Sequence, residues 1–398
     1  MSTTASADRL TVIRQALPAL QHGIYLNTGT AGPLPEAAYN TLVAESRREY
    51  EEGRSSPKAF VAFGEVLAQL RQRLAQLLHA TPEEIALTHN TTEGINILLW
   101  GLRWLPGDEV VTSSLEHEGV LLPLYQLHHR NGTVIRFADV GNGEQQQAVE
   151  AFSRAITPKT RLVVLSHVTY STGACLPLAE ITALAHRVGA RVVVDAAQSA
   201  GAIDVDVRAL DVDGYAFSGQ KWLLGPEGTG GLFVRREWIP EIEPTYVGYF
   251  SMNHAGYRTD DPHTFTPAQG AARYEGSSVF RPGLQALLAD LDWLIETVGL
   301  GWVYTRVAEM ATYAKQQLQR LPQVKLLTPP NAAGLVNFLL EGVDSVQVVQ
   351  ALHEAGVVIR SIPDNGALRL SCGFFNTTEE VDKTVQLLGD LAAALHSA

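Results

Sequence analysis

Lys221 stands where an amine could act as a nucleophile. It follows the apolar run Gly214–Phe217 and sits between Gly219-Gln220 and Trp222-Leu223. The chain has six lysines, and this is the only one in an apolar, strand-end setting. Desolvation there would lower its pKa and favour Schiff-base chemistry. Asp195 closes a second apolar run, Arg191–Asp195, at the kind of strand end where open α/β sheets meet their ligands. Thr91 and Thr92 lie between a strand pattern and a helix pattern, where first-turn amides and hydroxyls can hold an anion. His117 opens a helix after another strand. Taken alone, each residue also has a plain structural reading. These are a surface lysine, a turn-capping aspartate, an N-cap with Glu93 in the first turn, and a capping or core histidine.

The elements that must position these residues alternate along the first two thirds of the chain. Strand patterns cover Glu84–Thr88, Glu109–Ser113, Thr133–Phe137, Leu162–Ser166, Arg191–Asp195, Gly214–Phe217 and Gly231–Val234. Most are nearly continuous in Val, Ile and Leu, as strands buried on both faces of a mostly parallel sheet should be. Helical patterns at Thr92–Leu102, His117–Arg130, Gln145–Ala155 and Leu178–Val188 separate them, which reads as an α/β fold. After about residue 250 the polar, Gly-rich stretch 251–278 reads as a long ordered loop or boundary. A helical stretch Pro282–Leu321 follows, then short strands near Lys325–Leu327, Gly334–Leu340, Gly356–Ile359 and Leu368–Cys372, and a last helix Thr378–Leu395. This tail reads as a smaller α+β domain. The glycines of GPEGTGG, Gly225 to Gly231, lack the strand–Gly–helix context of a nucleotide loop and read as a tight turn.

Composition narrows the function classes. The 398 residues allow two or three domains at ~150 residues each. A net charge of −12 argues against nucleic-acid binding and against adhesion to anionic membranes. Cys175 and Cys372 are the only cysteines, so neither a disulfide framework nor a cysteine-rich zinc site is expected, and no metal is called for. The first twenty residues do not have the pattern of a signal peptide, and no run approaches the ~18 apolar residues of a membrane span. A cytoplasmic location is the expectation.

From YLNTGTAGPLP to RLSCGFFNT, with HNTTEGIN, SLEHEGV, RVVVDAAQSAG and FSGQKW between them, the chain resembles the fold-type I pyridoxal-phosphate (PLP) enzymes. Within these it is similar to the class V aminotransferase and cysteine desulfurase family, and most of all to the cyanobacterial L-cysteine/cystine C–S lyases. The resemblance implies a seven-stranded, mostly parallel sheet in a large PLP-binding domain, 23–255. It further implies a small C-terminal domain, 256–398, with an N-terminal segment, 1–22, packed on it. Lys221 would carry the cofactor and act as acid/base, Asp195 would pair with the pyridine nitrogen, and His117, the second catalytic residue, would stack on the ring. Gln198 would bond the phenolic oxygen, and Thr91, Thr92 and Ser218 would hold the phosphate. Ser277 of a partner subunit would complete that cup, which makes a homodimer with shared active sites the expected assembly.

The same resemblance puts Arg369 on the substrate's α-carboxylate and allows Arg360 a second carboxylate, the task a bidentate guanidinium does best. Family desulfurases carry a nucleophilic cysteine just before this arginine; here RSIPDNGALR has none. Tyr170 replaces an asparagine of many desulfurases, and Gln220 replaces a histidine of many relatives, so no titrating group stands at that position. The expected reaction is therefore α,β-elimination from cysteine or cystine to pyruvate, ammonia and a sulfide or persulfide. The alternatives are epimerisation of the isopenicillin N type, transamination, a desulfurase working through Cys372, and a non-catalytic binding protein.

Overall fold

The computed structural model describes residues 3–253, 265–363 and 365–396; the middle of the expected 251–278 loop lies outside the described residues. Strands β1 (Ile24–Tyr25), β2 (Ile85–Thr88), β3 (Glu109–Ser113), β4 (Val134–Ala138), β5 (Thr160–Ser166), β6 (Arg191–Asp195), β7 (Gly214–Ser218) and β8 (Gly230–Val234) lead the chain. Seven of them form one sheet in the order β2-β8-β7-β6-β5-β3-β4. All neighbours are parallel except β8, which runs antiparallel to both β2 and β7. The expected seven-stranded, mostly parallel sheet is thus present.

Successive strand residues feed two separate cores. Val111, Val163, Leu165, Val192, Val194 and Phe217 pack on one face, and Val110, Leu162, Val164, Val193 and Ala216 on the other. This is why the strands read as unbroken apolar runs: both directions of the pleat point into oil. Helices α1 (Thr3–Gln15), α2 (Glu36–Glu52), α3 (Pro57–Leu78), α4 (Thr91–Trp100), α5 (Glu118–Asn131), α6 (Gln145–Ala155) and α7 (Leu178–His186) precede β6 in the chain. The sheet faces are covered by α4 and α5 on one side and by α3, α6 and α7 on the other.

The rest of the chain forms α8 (Arg281–Asp292), α9 (Leu300–Leu318), β9 (Val324–Leu326), β10 (Leu335–Leu340), α10 (Ser345–Glu354), β11 (Val357–Val358), β12 (Arg360–Ile362), β13 (Ala367–Ser371) and α11 (Thr378–His396). Strands β12-β13-β10-β9 make a four-stranded antiparallel sheet over a third core that includes Met310, Phe338, Leu370 and Leu388. Arg14 of α1 ties this region down, reaching the Phe375 carbonyl at 2.8 Å and Glu380 at 2.7 Å.

Three expectations need correction. The single strand Gly356–Ile359 is really two: β11 pairs parallel with β1, and from Arg360 the chain joins β13 instead. The helix Pro282–Leu321 is interrupted by a π-helical turn, Trp293–Val298, and by Gly299 at φ +81°, which only glycine adopts at little cost. Glu84 does not extend β2. Its buried carboxylate closes a turn by accepting from Thr81 N at 3.1 Å and from Arg236 N at 3.0 Å.

A strap, residues 26–32, runs between the two sheets. Leu26 O accepts from Ser371 N at 2.7 Å, Gly29 O accepts from the Gln198 side chain at 2.8 Å, and Gly32 N donates to Gln220 O at 2.7 Å. A Cβ at Gly32 would lie 2.5 Å from the Lys221 carbonyl oxygen, and one at Gly29 would lie 2.9 Å from Ser371 Oγ. At Gly32 the backbones themselves touch, and at Gly29 packed side chains leave no room for a Cβ.

Candidate active site

Because β6 and β7 are parallel neighbours, Asp195 and the turn after Ser218 end up side by side. They open into a cleft of about 170 Å³, where Lys221 and Asp195 face Thr91, Thr92, His117 and Gln198. Lys221 is largely buried, and desolvation pulls its amine down to about 8 against the opposing pull of Asp195; Arg369 and Arg360 lower it further. Asp195 is buried, and its Oδ1 accepts from Ala197 N at 2.9 Å, which fixes the carboxylate at the strand end. Leu224, three residues past Lys221, is fully buried with φ +62°. That left-handed conformation is costly for leucine and persists here because packing holds it.

An anion cradle closes one end of the cleft. Asn90 is the N-cap of α4, its side chain accepting from Glu93 N at 2.9 Å. Thr91 follows it, its hydroxyl 2.8 Å from that of Ser218, while Thr91 N donates to Ser218 Oγ at 3.1 Å. Hydroxyls from two elements therefore meet at a helix N-terminus, where the dipole favours negative charge.

His117 is both a cap and a cleft wall. It precedes the first turn of α5, and its Nδ1 accepts from Gly119 N at 3.0 Å, so Nε2 carries the proton in the neutral ring. Its ring meets Tyr170 edge-on with centroids 4.9 Å apart, and burial lowers its pKa. Gln198 has one orientation: its Oε1 accepts from Trp222 Nε1 at 2.9 Å and its Nε2 donates to Gly29 O. One N–H of that amide is left for the cleft.

The two arginines come from the other sheet. Arg360 and Arg369 are directly opposed across β12 and β13. Arg369 is buried, its Nε lacks a partner, and burial followed by the nearby Arg360 charge brings its guanidinium down to about 9. Ser277 is exposed and lies outside this cleft. It lines an apolar cleft of about 590 Å³ together with Phe60, Tyr249 and Phe280.

The aminotransferase class-V family model matches residues 24–384. The chain belongs to that family. Among curated relatives, a Methanothermobacter thermautotrophicus protein named "Probable cysteine desulfurase" is 30% identical, the match covering 95% of this chain and 96% of that one. The isopenicillin N epimerase of Streptomyces clavuligerus is also 30% identical, over 92% of this chain and 94% of that one. Two solved structures of the cystine C–S lyase C-DES are 35% identical to it. One, in complex with the reaction product cysteine persulfide, superposes with TM-score 0.89 and covers 94% of this chain and 99% of that one. The other, a lysine-to-alanine variant with glycine covalently linked to PLP, superposes with TM-score 0.90 over 95% and 99%.

Two residues beside this candidate site went unread in the sequence. Thr30 touches both arginines through its hydroxyl. Glu116, beside His117, is buried and accepts from Ser113 Oγ, from Ser166 N at 3.0 Å and from Ser166 Oγ at 2.6 Å, tying the ends of β3 and β5 together. The signal for Glu116 was the acidic residue one place before the histidine; Thr30 offered none, being 339 residues from Arg369.

Burial raises the Glu116 carboxyl to about 7, and neighbouring Asp195 raises it too, while the serine hydrogen bonds oppose both. With a folded pKa above its unfolded one, Glu116 binds more protons when folded. Its contribution to stability therefore falls as pH rises from the ordinary carboxylate range through about 7. We expect Glu116→Gln to be relatively more stable at pH 8 than at pH 5 when each is compared with wild type, by up to about 3 kcal/mol. Urea unfolding at both pH values measures this, and an equal offset at both would refute it.

Proposed function

We propose that this chain is a PLP-dependent C–S lyase performing α,β-elimination on cysteine- and cystine-type amino acids, giving pyruvate, ammonia and a sulfide or persulfide. The observation that carries this reading is a cleft lined by the low-pKa Lys221 and, among the described residues, by no thiol, with Arg369 and Arg360 near enough to depress that amine. The donor set suits PLP: an amine for its aldehyde, a carboxylate for its ring nitrogen and an amide N–H for its phenolic oxygen. An imidazole face and a hydroxyl cradle remain for ring and phosphate. When bound, PLP supplies the electron sink at the substrate's α carbon.

The chain's own groups do the rest. Lys221 attaches the cofactor and then, with its amine held near neutrality by burial, removes the α proton. Asp195 keeps the ring nitrogen protonated, and His117 covers the ring. Thr91, Thr92 and Ser218 hold the phosphate. Arg369 grips the α-carboxylate with its planar fork, and Arg360 receives a distal one. Breaking the β C–S bond sends its electron pair out with sulfur. From cystine the leaving group is cysteine persulfide, and the remaining three-carbon fragment takes up water to give pyruvate and ammonia.

No enzyme thiol is required. Burial raises Cys372 to about 12 and Cys175 to about 11, far from the reactive thiolate. We expect Cys372→Ala to keep pyruvate release within about twofold of wild type; complete loss would establish a desulfurase route instead. The free state of both cysteines fits a reducing, cytoplasmic setting.

The working unit in this reading is a homodimer, in which Ser277 of one copy completes the phosphate cup of the other. Exposed Phe60, Tyr246, Tyr249 and Phe280 near Ser277 supply the apolar surface for it. A product assay on cystine tests the whole reading. Pyruvate with sulfane sulfur is expected, and racemised cystine without pyruvate would overturn it.

A further inference from the structure

We propose that Thr30 is a positioning residue, whose hydroxyl oxygen holds the Arg360 and Arg369 guanidiniums side by side and so sets the site's affinity for carboxylates. The inference rests on the reading of Arg360 and Arg369 as substrate-binding residues.

Arg360 and Arg369 occupy directly opposed positions on adjacent strands, where like charges repel. Among the described residues neither has a carboxylate partner; both instead reach the same atom. Arg369 donates to Thr30 Oγ1 at 3.0 Å and Arg360 at 3.3 Å. A hydroxyl has one proton, and Thr30 spends it on Asn27 Oδ1 at 2.8 Å. Only lone pairs face the guanidiniums, so Thr30 acts purely as an acceptor there.

Its position is fixed from several sides. Thr30 N donates to Asn27 O at 2.9 Å, Gly29 O is bonded by Gln198, and Gly32 N is bonded to Gln220 O. The same strap therefore touches the arginines, the amide assigned to the cofactor and the backbone beside Lys221. A neutral acceptor orients two cations without discharging them. A carboxylate at this position would neutralise them permanently and compete with the substrate.

The test uses PLP-loaded wild type, Thr30→Ser, Thr30→Val, Thr30→Asp and Arg369→Ala. Glycine, which has a carboxylate but no leaving group, is titrated against the cofactor absorbance to give Kd, and cystine turnover gives kcat and KM. Thr30→Val loses hydrogen bonds to charged groups and is expected to raise the glycine Kd and the cystine KM about tenfold or more, with kcat little changed. Thr30→Ser keeps the acceptor and should restore wild-type values. Thr30→Asp should weaken glycine more than Thr30→Val does. An unchanged Kd in Thr30→Val, with Arg369→Ala impaired, overturns this proposal and leaves the arginine reading standing. Wild-type glycine affinity in Arg369→Ala overturns both. A Thr30→Ser as impaired as Thr30→Val also overturns it, because the hydroxyl would then not be the operative group.

Discussion

Lys221→Ala is expected to lower pyruvate release from cystine by about 10³-fold or more, the scale at which a positioned base and a covalent nucleophile each act. In the proposed reaction two separate roles vanish together in that variant, because attachment of the cofactor and removal of the α proton fall on one amine. A second readout does not depend on turnover. After borohydride treatment, intact-protein mass should show PLP fixed to wild type and none to the variant. Cofactor mass on Lys221→Ala would place the attachment elsewhere and refute the assignment. The other five lysines do not line this cleft, so no neighbour can substitute.

Arg369→Met should separate stability from activity. Methionine replaces a buried guanidinium that has an unpartnered Nε and a like charge directly opposite. Replacing a buried charge of this kind by an apolar side chain of similar length is neutral or stabilising, so Tm should stay level or rise. Loss of the proposed bidentate contact to the α-carboxylate should cut kcat/KM by about 10²- to 10³-fold. Calorimetry and cystine kinetics on one preparation check both. A marked fall in Tm would mean that Arg369 serves the fold rather than the substrate.

Much of the sheet was legible because parallel strands sandwiched between helices leave unbroken Val, Ile and Leu runs. The Lys221 site was legible for a related reason: few lysines follow such runs, and Asp195 ends the neighbouring one. The elements α2 and α3 went unassigned. For α3 the signal was present in Phe63, Leu70, Leu74 and Leu77, spaced to bury one helix face. For α2 it was weak, since Ala38 is its only buried residue. Strand β12 escaped notice because three residues carry no period, and its pairing depends on where β13 lies. Thr30 escaped for the same reason at longer range. Its meaning comes from the register between β12 and β13, 330 and 339 residues away, which no pattern around Thr30 encodes.

The four-stranded sheet places its two arginines unequally. Arg369 is on the inner strand β13, flanked by β10 and β12, whereas Arg360 is on β12, a three-residue edge strand with one neighbour. Inner strands resist displacement and short edges yield to it. In the proposed reaction, the end of the substrate held by Arg369 would be read strictly, and the end facing Arg360 would be read with tolerance. In that reaction the edge strand would govern catalytic breadth: one common headgroup, and sulfur-bearing tails of more than one length.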